Sequence, residues 1–120
     1  HDDVLQALID GIGVGVSEIL DGGKGALQLE IFAEAARNPG IAALVQDADR
    51  ATLQKLHDLL VSGRQARGLP VERSLIAGRC EAIASMMEGL YLRAVQNPAL
   101  DQATLTKAIQ TAITPLVFSP

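Results

Sequence analysis

Glycine and proline, by where they fall, decide most of what this chain can fold into. They interrupt it at Asp21-Gly22-Gly23, Asn38-Pro39-Gly40, Gly68-Leu69-Pro70 and Asn97-Pro98. Such clusters end helices, because Gly admits backbone angles other residues avoid and Pro lacks the amide donor. Between the stops, apolar residues recur at helical spacing. In the first segment these are Val4, Leu5, Leu8, Ile9, Ile12, Val16, Ile19 and Leu20. The alternation Ile12-Gly13-Val14-Gly15-Val16 is the single strand-like window, and it lies inside that 3.6-residue pattern. The pattern predicts an all-α fold of about five to six helices. They cover residues 3–20, 24–37, a short piece at 41–46, a long one at 49–67, then 71 or 72 to 96. The last reaches 117, with Asp101 as its N-cap. Pro115 should kink or end that helix.

The 120 residues suit one domain with a single core. Trp is absent, with two Phe and one Tyr, so aliphatic side chains and Met must fill that core. A net charge of −4 with ten scattered bases is a poor match for nucleic acid. One cysteine, Cys80, allows no internal disulfide and is compatible with a reducing cytoplasm. No apolar run approaches the roughly 20 residues that span a membrane. The chain begins at His1 rather than Met, and a lost N-terminal segment is expected.

The helix at 72–96 carries apolar residues around about two thirds of its circumference, where a surface helix needs a stripe nearer 100° wide. It must be central to its own domain, or face a second chain as well. At one edge of the apolar arc, Gly78, Ala82, Ser85, Gly89 and Leu92 repeat at spacings of four and three. That is a heptad seam of mostly small residues, which lets two helix backbones approach closely. Gly89, costing roughly 1 kcal/mol against Ala, is then tolerated because another helix lies on it, in this chain or a second copy. The final helix offers a matching stripe with Leu105, Ile109 and Ala112. The last two helices of two copies would make a four-helix interface, and a homodimer is expected.

Ligand pockets are mostly apolar with a few placed polar groups. Gln28 sits among Leu27, Ile31 and Phe32, opposite the wet face of Glu30, Glu34 and Arg37. It either reaches solvent or serves a pocket. His57 lies on the edge of a stripe containing Leu53, Leu56, Leu59 and Leu60, as a half-exposed surface group or a pocket group. Arg79 interrupts an apolar arc and needs a partner, either a salt bridge or an anionic ligand. Met86, Met87 and Tyr91 add a polarizable lining. Gln28, Phe32, His57, Leu60, Arg79, Met87 and Tyr91 are the candidate ligand residues, and the expected ligand is an apolar or amphipathic small molecule. Gly11, Gly13 and Gly15 in the first helix imply either close packing or a helix soft enough for a ligand to move.

Other chemistries lack their patterns. Gly11-x-Gly13-x-Gly15 has no preceding strand and the wrong spacing for a dinucleotide loop. Asp47-x-Asp49 is followed by Ala51 and Thr52, where a calcium loop needs a ligand and a Gly. Neither His1 nor His57 has a Glu three residues earlier, which a di-metal bundle requires. Cys80 has no activating neighbour pattern. No metal, no cofactor and no enzyme activity are expected.

Two stretches carry a resemblance. Glu30-Ile-Phe-Ala-Glu-Ala-Ala-Arg-Asn-Pro-Gly-Ile-Ala-Ala-Leu-Val45 resembles a helix end common in the regulatory domain of tetracycline-repressor-like transcriptional regulators. Glu88-Gly-Leu-Tyr-Leu-Arg-Ala-Val-Gln-Asn-Pro98 resembles a later segment of the same family, which precedes its last helix. The resemblance implies a homodimer through the last two helices and an effector pocket in the helices before them. It also implies control of DNA by an N-terminal helix-turn-helix domain, which nothing in this chain resembles. The alternatives are a ligand-free structural dimerisation bundle and, from another class, a small helical enzyme.

Overall fold

Where the sequence has helical periodicity the chain forms helices, and its stops use the residues that separate them. The structure, a computed structural model, describes residues 3–21 and 23–120. His1, Asp2 and Gly22 lie outside the described residues, and with Gly22 the middle of the predicted 21–23 stop. The elements are α1 Val4–Asp10, α2 Ile12–Asp21, α3 Gly25–Ala35, α4 Pro39–Ala66, α5 Arg73–Gln96 and α6 Gln102–Phe118. The fold is all-α, with no strand among the described residues.

Three boundaries differ from expectation. The first predicted helix is two, broken at Gly11, whose amide still donates to the Ala7 carbonyl at 2.9 Å. Beside the break, the Gln110 amide on α6 donates to the Ile9 carbonyl at 3.1 Å. Conversely, the expected gap at 47–48 does not exist. Asn38 caps α4, accepting from the Gly40 and Ile41 amides at 3.0 and 3.3 Å, and Pro39 takes the first helical position. The helix then runs unbroken for 28 residues, with no further proline before Pro70. Asp47, inside the expected gap, pairs with Arg50 on an exposed face. Finally, α6 runs three residues past Pro115. The proline removes only the amide that would serve the Thr111 carbonyl, and the helix ends less than one turn later, near the expected 117.

Glycine at positive φ closes α4. Gly68 has φ +69°, its amide donates to Gln65 at 3.0 Å, and the Leu69 amide donates to Arg64 at 2.9 Å. This pair of reversed bonds satisfies the last carbonyls of α4.

α5 is the central helix, packed against α2, α3, α4 and α6. Its Ile76, Cys80, Ile83 and Leu90 join Leu5, Ile9, Ile12, Val16, Leu60, Ile109, Ile113 and Val117 in one buried cluster. α1 reaches that core through a close approach to α4. A Cβ on Gly63 would lie 2.6 Å from Leu5 Cγ and Cδ2 and 2.9 Å from Val4 Cγ2.

Arginines tie three helix ends together. Arg64 is fully buried. Its Nε donates to Pro70 O at 2.9 Å, and its Nη1 donates to Val117 O at 2.7 Å and Ser119 O at 2.8 Å. Arg79 Nη1 donates to Leu116 O at 3.1 Å and Ser119 O at 2.6 Å, and Nη2 to Pro120 O at 2.7 Å. Arg67 stacks 4.6 Å over the Phe118 ring and pairs with Asp3, just ahead of α1. Cations at a helix C-terminus are favoured by the free carbonyls there. Burial, then the neighbouring Arg79 charge, pulls the Arg64 guanidinium below its usual pKa.

Candidate functional site

Packing a long α4 against α5 while α3 and α1–α2 flank them leaves two cavities side by side. The outer one, about 650 Å³, lies between α3, α4 and α5. Gln28, Ile31 and Phe32 come from α3; Leu44, Val45, Asp49 and Thr52 from α4; Glu81, Ala84, Ser85, Glu88 and Tyr91 from α5. The spacing explains the convergence. Gln28 and Phe32 are one helical turn apart, and Glu81, Ala84, Glu88 and Tyr91 follow at intervals of three and four. The Phe32 and Tyr91 rings meet edge to face, with centroids 6.3 Å apart and planes at 75°.

The inner cavity, about 380 Å³, is almost wholly apolar. Its walls include Leu8, Ile12, Leu53, Leu56, Ile83, Met87 and Ile113. Asp49, Thr52, Ala84 and Glu88 line both cavities, so these four residues stand where the spaces meet. Leu8 belongs to α1 and Ile12 to α2, one on each side of the Gly11 break.

The charges of the outer cavity all have one sign. Asp49, Glu81 and Glu88 line it, and no Lys, Arg or His does. Burial, then repulsion from Asp49 and Glu81, raises the Glu88 carboxyl above its ordinary value. Among the described residues no group of three or more His, Cys, Asp or Glu could hold a metal ion. No helix among them is long and apolar enough to cross a membrane.

The expected ligand residues therefore separate. Gln28, Phe32 and Tyr91 share the outer cavity and Met87 lines the inner one. Leu60 is fully buried in the core instead of on a cavity wall. Arg79 is turned away to the end of α6, where it donates to the carbonyl oxygens of Leu116, Ser119 and Pro120. His57 lines neither cavity; its Nδ1 is buried without a hydrogen bond, 3.7 Å from the Asp58 carboxylate. Sequence reasoning missed Asp49, Thr52, Ala84, Glu81 and Glu88. The spacing of 81, 84, 88 and 91 on one side of α5 held the signal.

The seam residues also have definite places. Gly78, Gly89 and Leu92 are exposed, Ala82 is half-buried, and among the described residues nothing beyond α5's own adjacent backbone lies within 4 Å of a Cβ built on Gly78 or Gly89. Ser85 is exposed on the outer cavity wall, its hydroxyl donating to the Glu81 carbonyl at 2.8 Å. On α6, Ala112 is exposed and Leu105 half-buried, whereas Ile109, expected at an interface, is part of the chain's own core. That core, not a partner, absorbs the inward half of the α6 stripe.

Compared with known families, residues 20–117 match the C-terminal domain of BetI-type transcriptional repressors. Searches of curated proteins and of solved structures gave no match.

Proposed function

Since this chain belongs to the family of C-terminal domains of BetI-type transcriptional repressors, we propose that it is the effector-sensing and dimerising half of a repressor. A small molecule in the joined cavities controls DNA binding by an N-terminal domain. The observation that carries this reading is the pair of adjoining spaces of about 650 and 380 Å³, within the size range of small-molecule sites. A purely structural bundle has no use for them.

The cavity walls give binding a mechanical consequence. Leu8 and Ile12 flank the Gly11 break, so a molecule filling the inner cavity touches both halves of the first helical segment. It can shift the regulator only by fitting one arrangement of α1 better than another. The homodimer is part of the same reading. Leu92 is 49% exposed on the edge of α5 that carries Gly78 and Gly89. Ala108, Thr111, Ala112 and Pro115 leave an uncharged exposed face on α6. A second copy on this surface would border Ser85 and the outer cavity.

Thermal-shift measurements with neutral, cationic and anionic amphipathic compounds test the effector role. A ligand at 100 times its Kd stabilises by about 2.7 kcal/mol, a shift of several degrees. The shift should vanish in Ala84→Trp and Thr52→Phe, which fill the junction, provided their helical content is unchanged. A shift retained in both variants, or none with any compound, contradicts the proposal.

A further inference from the structure

We infer that α3 and the first turns of α4, residues 25–45, form a flap over the outer cavity. It opens as one unit about a hinge at 46–52 while the other helices stay packed. Such a motion belongs to the fold itself, whether or not an effector occupies the cavities.

Burial divides the chain at this point. Every residue of the buried cluster lies on α1, α2, α5, α6 or the second half of α4, and so does every half-buried apolar residue packed on it. α3 has no buried residue, and the first in α4 is Leu60. The Phe32–Tyr91 ring contact ties the flap to α5, with centroids 6.3 Å apart. Among the described residues no ion pair and no side-chain hydrogen bond joins 25–45 to the rest. Arg37 bonds Glu34 and the Ala33 carbonyl, and Asn38 bonds Glu34, all inside the flap. By contrast, Leu60 and the hydrogen-bonded Arg64 are fully buried and fix the second half of α4. Segments with few buried apolar contacts open at free energies well below that of global unfolding.

The hinge follows from exposure. Each residue from Gln46 to Thr52 is exposed, and that run covers nearly two helical turns. Every side of α4 there faces solvent or the open cavity, so the stretch lacks the tertiary packing that stabilises most protein helices. At its other end the flap joins α2 through Gly23, with φ +65°, and α3 starts at Lys24 without a side-chain cap. Asn38 keeps the two parts of the flap together. Its Oδ1 accepts from the Gly40 and Ile41 amides of α4 while its Nδ2 donates to Glu34 of α3 at 3.4 Å. Asp49 and Thr52 belong to the hinge and line both cavities. Opening the flap therefore widens the junction between the two spaces, and a molecule lodged there stiffens the hinge.

Native-state hydrogen exchange of the full chain, read amide by amide by NMR at several low urea concentrations, tests the flap. The helical amides of α3 and of 43–52 should share one protection factor, roughly tenfold or more below those of Ile83, Ile109 and Ile113. They should also respond less to urea, because opening the flap exposes less surface than global unfolding. Ile109→Val, on α6 and away from the flap, should lower core protection roughly two- to tenfold and leave the flap amides unchanged. Phe32→Leu should lower all the flap amides together by roughly two- to tenfold, the worth of an edge-to-face ring pair. Flap amides as protected as the core, or Ile109→Val lowering both sets alike, would show one cooperative unit and overturn the flap. Protection that declines gradually toward the helix ends, or Phe32→Leu acting on its neighbours alone, would show fraying and overturn it too. The thermal-shift outcome for the effector role is independent of each of these results.

Discussion

Gly63→Ala isolates the contact that seats α1 on the rest of the molecule. In an unencumbered helix the change would stabilise by up to about 1 kcal/mol. Here the new methyl would sit 2.6 Å from Leu5 Cγ and Cδ2 and 2.9 Å from Val4 Cγ2, where carbon atoms normally stay about 3.5–4.0 Å apart. Leu5 is fully buried, so its side chain has no free direction to move. Overpacking of this kind costs about 1–3 kcal/mol, and displacing Leu5 from its site forfeits about 1.5–3 kcal/mol of apolar burial. Set against the helix gain, the net expectation is a loss of about 2 kcal/mol, or roughly 8 °C in Tm for a domain of this size. Urea and thermal unfolding followed by circular dichroism measure it. Leu5→Ala alone should cost about 2–5 kcal/mol, and the double variant less than the sum of the two, because the smaller side chain makes room. Gly63→Ala as stable as the native chain, with additive effects in the cycle, would show that α1 does not lie against α4 as described.

Other substitutions test the helix ends and the site. Arg64→Met should cost about 3 kcal/mol, since it strands the buried carbonyls that Arg64 now serves; Arg64→Lys should recover little, because one ammonium cannot reach both Pro70 and the end of α6. Gly68→Ala should cost about 1–2 kcal/mol in the same unfolding assay, the penalty of a left-handed conformation for an L-residue. The folded state raises the Glu88 carboxyl, so it binds that proton more tightly than the unfolded state, and stability falls as pH rises through the folded value. Glu88→Gln should therefore exceed native stability at neutral pH, the difference shrinking on acidification through the carboxylate range. Asp3 behaves oppositely: the Gln6 amide and Arg67 lower its value. Its contribution is present above the unfolded value and lost as pH falls through the folded one, so Asp3→Asn should be less stable than native at neutral pH and equal to it in strong acid.

Helix type and most stops were legible because Gly and Pro act locally. Gly68 ended α4 where its position required, and Asn38-Pro39 marked one boundary. What local reading lacked was the second role of the same residues, since Asn38 and Pro39 also start the next helix. The Gly11 break was not foreseen, although Gly11 was noticed, because α6 helps to hold it through Gln110. The site was half legible. Gln28, Met87 and Tyr91 stood out as polar or polarizable groups among apolar neighbours such as Phe32, and all four line the cavities. Arg79 stood out for the same reason, but its partner is a helix end 37 or more residues away in sequence, which no periodicity encodes. Glu81 and Glu88 are exposed, and their place on a cavity wall depends on α3 and α4 packing beside α5.

A dimeric sensor requires that the α5 and α6 edge receive a second copy. Light scattering on the native chain and on Gly89→Leu tests it, because among the described residues nothing beyond α5's own adjacent backbone lies within 4 Å of a Cβ at Gly89 and the variant should fold unimpeded. The account predicts twice the chain mass for the native protein and a single chain mass for the variant, with equal helical content. A native monomer, or a variant that dimerises as the native chain does, would contradict it.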